Sequence, residues 1–530
     1  MHSRHVSPGT ARSRGRSAGT LRAGLAALAA AGWAGPGGGG GCQSYERRPL
    51  DLEGHRAAFL ARTPDACQAA ALAEQLAAPP PEAPPFDPTD GLTCAEAEAI
   101  ALVFNADLRL ARLRAGVTRA AAEHAGLWED PTIGVDLVRI IQGTPEPWKL
   151  FTSVGLTLPL SGRLEAEKQR AGLEHAAELA RVAQREWSVR MSVRRAWSEW
   201  TALDHQAAAT RQFLDRVEQV LAVVDAMERA GEMGRTEARL FRIEKATAAA
   251  ELAALESRAL EASLRLNQLM GVSPDAPLQP QAAGLAPAAG ARGGSLRADD
   301  DADRVLRAPA MLVAAAEYEA AEKAVELEVR RQFPDLHLGP GYGREDGQDQ
   351  VLLGLSVPIP LLNANRRAIA EALARRELAR AAAETTLEQS IATLRAAEVR
   401  LAATSRRRAA LESEVVPLVD AQYEDARRVA RLGEVNTLVL LESLKRQQEA
   451  KVALIEAARD QAIAAVDVDE VLGPPPTPSS PPPAPPPAPP TGALPADSAQ
   501  PGLDRRCDPQ PLTPPTTSGS TPPNDHARTP

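Results

Sequence analysis

Residues 154 to 163 read VGLTLPLSGR and residues 353 to 366 read LGLSVPIPLLNANR. Self-similarity at long range is how repeat architectures announce themselves, so this phrase, written twice roughly two hundred residues apart, constrains the fold more than any other feature. Each copy begins with period-two alternation and changes at its proline to a proline-free run with helical spacing. Pro159 and Pro358 therefore mark one event, a strand handing over to a very long helix, in two copies of a single unit.

The flanking segments fill out that unit. LTCAEAEAIALVFNADLRLARLRAGVTRAAAEHAGLW at 92 to 128 reads as one amphipathic helix, and WEDPTIGVDLVR and KLFTSVGLTLPL read as two strands. From Ser161 to about Arg229, Leu179, Val182, Val189, Val193, Ala196, Trp200 and Leu203 recur at spacings of three, four and seven, which predicts a helix about 100 Å long. It breaks at ERAGEMGRTE, where Gly231 and Gly234 allow a tight reversal, and returns over 236 to 270, ending at Gly271. The second copy has a helix at 305 to 332, strands FPDLHLGPGYG and QVLLGLSVPI, a long helix at 364 to 431 kinked by Pro417, a reversal at ARLGEVN and a helix at 437 to 471. Alanine and leucine carry the apolar load of this chain, in which 44% of the 530 residues are hydrophobic but only 3% aromatic, as suits long helices packed closely together.

Four strands with open edges need partners. Leu150, Val154, Leu156 and Leu158 share one face while Ser153, Gly155 and Thr157 share the other, as in a wall between lipid and a polar lumen. An open edge cannot lie in lipid with its backbone unpaired, so such strands close with copies of themselves or lie against protein. A small soluble sheet capping a helical bundle fits the alternation equally, but gives no reason for the length of the helices.

The ends of the chain are of another kind. Arg12, Arg14, Arg16 and Arg22 precede the apolar run LAALAAA, and small residues lead on to Cys42, the order of a secretory signal over residues 1–42. The run is too short to span a bilayer. A proline-rich lead follows over 43–90, and PPPTPSSPPPAPPPAPPTG opens a tail, 473–530, with too little apolar surface to fold; it is expected to be dispensable for assembly. The intervening body divides into a first repeat at 91–272, a linker at 273–300 and a second repeat at 301–472. Export makes Cys67 and Cys94 a candidate disulfide pair, with two free thiols as the alternative.

Several function classes are excluded or disfavoured. A formal net charge of -9 with no basic stripe speaks against nucleic acid. The eight histidines are scattered and neither histidines nor cysteines sit at ligand spacing, so no metal site and no cofactor is expected. No nucleophile and base pair or phosphate loop appears, and Glu412 with Glu414 reads as a solvated helix face, so no enzyme is expected.

In this order, twice over, these segments resemble the outer-membrane factors of the TolC family. The resemblance runs from about residue 92 to 472 and includes TLPLSGR, VPIPLLNANR and VVPLVDAQYEDARRVARLGEVNTLVLLESLKRQQEA. It implies a mainly α fold with a small membrane β-barrel contribution: a duplicated helix, strand, strand, long helix, helix unit in a homotrimeric α/β-barrel tunnel, three chains pooling twelve strands. It further implies a passive exit duct in the bacterial outer membrane, joined to a periplasmic adaptor protein and an inner-membrane pump in an efflux or type I secretion system. GGGGC resembles a lipoprotein signal with Cys42 as the acylated residue, although Gly39 stands where leucine is usual. The reversals at Gly231 and Gly433 become the periplasmic tip where the adaptor docks. Glu442 matches a pore-facing position near that tip, and Glu232 and Glu434 lie in the reversals, so the three are candidate gate carboxylates. Two positions depart from the family: Ala430 stands for a tyrosine and Val439 for an acidic residue. The rival readings are a periplasmic adaptor, which would carry one hairpin between β-rich domains, and a coiled-coil spacer of the envelope, which would lack matched strands. Cargo is open, metal cations being one class.

Overall fold

The computed structural model describes residues 45–63, 91–139, 141, 148–276, 303–345, 348–431 and 437–474. Cys42, Cys67, Gly433, Glu434 and the proline-rich tail lie outside the described residues. The chain divides into two units, 1–57 and 58–530. Residues 45–51 form neither helix nor strand and lead into helix α1 (Leu52–Leu60).

In the second unit, the helix expected over 92–128 is two helices, α2 (Cys94–Phe104) and α3 (Ala106–Glu123). The single-helix reading fails at Asn105, which serves as C-cap of one and N-cap of the next. Its side chain accepts the Leu108 N–H at 3.0 Å and donates to the Leu269 carbonyl at 2.8 Å. An asparagine that satisfies its neighbours' orphan backbone groups stabilises a break that apolar periodicity does not show. Thr93 and Glu96 cap the start of α2 reciprocally.

Strands β1 (Thr132–Arg139) and β2 (Trp148–Leu158) follow, then α4 (Arg163–Ala230), 68 residues long. The chain returns as α5 (Arg235–Met270). The second repeat runs α6 (Pro309–Arg330), β3 (Leu336–Glu345), β4 (Gln348–Ser356), α7 (Arg366–Ala410), α8 (Val416–Arg431) and α9 (Thr437–Leu472). Helix α6 begins four residues later than expected because Pro309, fixed in φ and lacking an N–H, occupies its first turn. Between α7 and α8 the kink expected at Pro417 takes the form of a π turn, Leu411–Val415. Proline lacks the N–H that the Ser413 carbonyl would receive, and widening the preceding turn accommodates that loss without ending the helix.

The four strands form one antiparallel sheet in the order β1-β2-β3-β4, leaving β1 and β4 as its edges. Leu156 pairs with Leu338 and Ser153 with Gly341, but between them the β2–β3 ladder is interrupted opposite Pro340, which has no N–H to give. Helix packing rests on small side chains. Val189, Val193, Ala196 and Trp200 of α4 meet Ala97, Ile100 and Ala101 of α2 and Leu266 and Met270 of α5 in the largest buried cluster. Alanine lets long helices approach closely while the two tryptophans, Trp197 and Trp200, fill the remaining gap edge to face at 5.3 Å.

Candidate functional site

The sheet separates two chemistries. On one face lie Ile133, Val135 and Leu137 of β1, Leu150, Val154, Leu156 and Leu158 of β2, Leu336 and Leu338 of β3, and Val351, Leu353 and Leu355 of β4, brought into rows by the strand register. Many remain largely exposed: Ile133 is 80% and Val351 85% accessible. A contiguous apolar surface of this extent has no stabilising contact with water. The opposite face is predominantly polar, with Asp136, Lys149, Ser153, Thr157, His337, Gln350 and Ser356 among glycines and the apolar Val138, Phe151 and Leu352. Trp148, with Arg139 stacked over its ring at 5.3 Å, and Tyr342 stand toward the end of the sheet remote from the helices, on the apolar face. Aromatics at that height are what an interfacial girdle requires.

The sheet is fixed to the helices by one arginine. Arg163, first residue of α4, donates through Nε to Asp335 Oδ2 at 2.8 Å and through Nη2 to Glu129 Oε1 at 2.8 Å, joining the strand entries of both repeats. The Arg163 guanidinium and then the Thr157 hydroxyl hold the Glu129 carboxyl below the usual range. Each hand-over passes through a left-handed residue, Gly162 at φ 68° and Asn365 at φ 53°, so Pro159 and Pro358 end their strands and these two residues turn the chain into its helix.

At the far end of the helices the first reversal closes as a left-handed cap. Gly231, at φ 78°, gives its N–H to the Glu228 carbonyl at 3.1 Å, and Glu232 gives its own to Met227 at 2.9 Å. Gly234 takes ordinary extended backbone, so only Gly231 of the two glycines needs positive φ. Met233 folds back into a cluster with Val224, Ala238 and Phe241, and Leu441 of α9 packs on it. Glu232 and the neighbour of Glu442 thus come to the same end. Glu232 is exposed, and Glu442 accepts Arg446 Nε at 2.8 Å with about half its side chain in solvent.

Two polar clusters escaped the reading of the sequence. Arg216 of α4 donates to Gln447 Oε1 at 2.7 Å, and Gln447 donates to Asp420 Oδ1 at 2.6 Å, with the Arg216 guanidinium 5.8 Å from the Tyr423 ring; this chain of contacts ties α4, α8 and α9 together. Glu98, 5% exposed, accepts Arg190 Nε at 2.7 Å and Arg194 Nε at 2.6 Å. Beside it, Cys94 carries a free thiol that burial, and next the Glu98 carboxylate, push up to about 12, so it stays protonated and inert at neutral pH. Among the described residues no group of three or more His, Cys, Asp or Glu is placed to hold a metal ion, and no helix is long and apolar enough to cross a membrane.

Residues 99–272 and 304–474 match the outer membrane efflux protein family. The chain belongs to that family. Its members are passive channel proteins of the outer membrane, not enzymes. The fold is that of solved outer-membrane channels. CusC, described in terms of folding and transmembrane channel formation, is 16% identical with a TM-score of 0.61, over 72% of this chain and 92% of that one. VceC of Vibrio cholerae is 17% identical with a TM-score of 0.59, over 72% and 96%. MtrE of Neisseria gonorrhoeae, in its open state, is 18% identical with a TM-score of 0.58, over 71% and 88%. A search of the curated proteins returns no match. For this efflux-family chain the two faces of the sheet carry the apolar and polar sides that the wall of a membrane β-barrel requires.

Proposed function

We propose that the protein is the outer-membrane exit duct of a tripartite efflux or type I secretion assembly, working as a homotrimer with a periplasmic adaptor and an inner-membrane pump, and tethered to outer-membrane lipid through Cys42. The observation that carries this reading is the sheet: four strands with an apolar outer face and two unpaired edges, β1 and β4. Lipid tolerates that face and forbids those edges, so the strands must close through further copies of the chain. Cross-linking of the detergent-solubilised protein followed by mass measurement should give three chains. A stable water-soluble monomer would rule the proposal out.

The tip around Gly231, with Gly433 as its counterpart, is the adaptor-docking end, and Glu442 lines the constriction there, with Glu232 and Glu434 in the reversals beside it. Because Glu442 is paired with Arg446, removing its charge leaves three unbalanced guanidiniums around the pore. In planar bilayers, Glu442→Gln should lower the cation-to-anion permeability ratio roughly twofold or more, by the logic of charged rings in pores. An unchanged ratio would place the constriction elsewhere.

A further inference from the structure

The two repeats meet inside the chain at a junction that the chain's own ends leave half built. In that junction β2 pairs with β3, and α6 lies against α4 with Arg181 Nη2 2.7 Å from Glu317 Oε1. The repeats align without a gap from Asn105 and Ala308, both helix N-caps, to Ile133 and Leu336, both on the apolar face of their strands. Under that alignment Leu110, Leu113, Arg114 and Val117 of α3 fall on Val313, Ala316, Glu317 and Ala320 of α6. Val313 is 8% exposed, whereas Leu110, Leu113 and Val117 are 52%, 63% and 70% exposed. Their spacing of three, four and seven makes one apolar stripe, and α3 already turns a different face, Leu108 and Ala115, to α4. The stripe is thus the counterpart of a face that is covered in the second repeat.

What covers it is written in the charges. Gly162 and Asn365, the two left-handed N-caps, align α4 with α7 and set Glu384 on Arg181. The internal pair, Arg181 of α4 with Glu317 of α6, becomes Glu384 of α7 with Arg114 of α3: the same geometry with the signs exchanged. Both side chains are exposed within one chain, where Glu384 is held by Arg380 of its own helix at 3.0 Å.

We propose that a second copy of the chain seats α7 on this stripe of α3, with Glu384 of the partner subunit paired to Arg114. The same copy pairs its β4 with β1 in the register that the internal pairing dictates. Leu156 opposite Leu338 and Leu158 opposite Leu336 translate into the partner's Leu355 opposite Val135 and the partner's Val357 opposite Ile133. The arginine clasp is not reproduced at this junction, because Thr132 stands where Asp335 does, so the exchanged ion pair is the charge contact it retains.

The exchange also gives specificity. If the α4 of one copy took the place of α7 on α3 of another, Arg181 would face Arg114; if α7 took the place of α4 on α6, Glu384 would face Glu317. Like charges at a packed junction disfavour both errors, so internal and external junctions cannot be confused during closure.

The inference rests on the homotrimer proposed above, and the test separates the two. Trimer recovery in detergent is measured for wild type, Arg114→Glu, Glu384→Arg and the double reversal. Each single reversal should lower recovery roughly tenfold, since it juxtaposes like charges at three junctions, and the double should restore it. Independently, Val135→Cys with Leu355→Cys should give a covalently closed trimer on oxidation, while Val135→Cys with Leu353→Cys should not, cross-strand partners being the closest pairs. If wild type is not trimeric, the proposed function falls. If wild type is trimeric but the double reversal fails to rescue, or the Leu353 pair closes instead, this junction is wrong and the trimer stands.

Discussion

Replacing Glu98 with alanine should cost about 3 to 5 kcal/mol, the usual penalty for removing one partner from a buried ion pair. The residue sits in the middle of α2 beside the largest apolar cluster, and its carboxylate pairs with both Arg190 and Arg194, while Arg194 has Asp469 as a second partner at 3.6 Å. Truncation leaves the Arg190 guanidinium to partial solvent and the Trp187 ring 5.5 Å away, and the more buried Arg194 to Asp469 alone at 3.6 Å. Glu98→Gln keeps shape and one acceptor but loses the charge, so it should fall between wild type and Glu98→Ala. The midpoint of thermal loss of helical signal in detergent orders the three proteins. For a chain of this size about 1 kcal/mol moves the midpoint by only about 1 °C, so a Glu98→Ala midpoint within about 0.5 °C of wild type would mean a loss well under 1 kcal/mol and would show that water replaces the acid at these arginines.

Glu98 also marks where the sequence stops being informative. In AEAEAIALV it is one acid among alanines, and nothing local says that it points inward, because its arginines lie on α4, far along the chain. The same holds for Arg163, whose two acids belong to different repeats, and for the contact of Arg216 with Gln447 and Asp420. Such residues are fixed by tertiary placement, which no local period encodes.

What periodicity does encode was legible at length. Helix α4 was anticipated to within two residues at each end because its apolar spacing runs unbroken between two left-handed glycines, Gly162 and Gly231. The hand-overs at Pro159 and Pro358 were legible because alternation and helical spacing meet at a residue that can extend neither. The break at Asn105 was not, since apolar residues continue on both sides of it and Leu102, Leu108 and Ala115 pack in one cluster. There the capping chemistry of a single side chain overrides a pattern that continues through it. The π turn before Pro417 is a similar case, with the proline visible and the form of the accommodation not.

Gly271→Ala should be nearly as damaging as Glu98→Ala, and for a reason of backbone alone. Helix α5 ends at Met270, and Gly271 turns the chain at φ 71°, a conformation that strains any residue with a Cβ by about 1 to 2 kcal/mol. Space adds to the conformational cost. A Cβ there would lie 2.2 Å from the Phe104 carbonyl oxygen and 2.6 Å from its carbon, both main-chain atoms of the α2 terminus. The Gly271 carbonyl is itself committed, accepting Arg62 Nη1 at 2.6 Å. Neither side can yield without opening the contact between α2 and α5, where Asn105 binds Leu269. The combined loss should be on the order of 3 kcal/mol or more, overpacking against main chain being added to left-handed strain. Gly172→Ala supplies the contrast: it lies inside α4 with nothing within 4 Å of the new Cβ, so it should stabilise by about 0.5 to 1 kcal/mol. Gly231→Ala separates the two costs, because its φ of 78° carries the strain while the space around it is open. Its loss should be close to the strain term alone, about 1 to 2 kcal/mol. If Gly231→Ala and Gly271→Ala lower the thermal midpoint equally, close approach of α2 contributes nothing and the junction is looser than its geometry states.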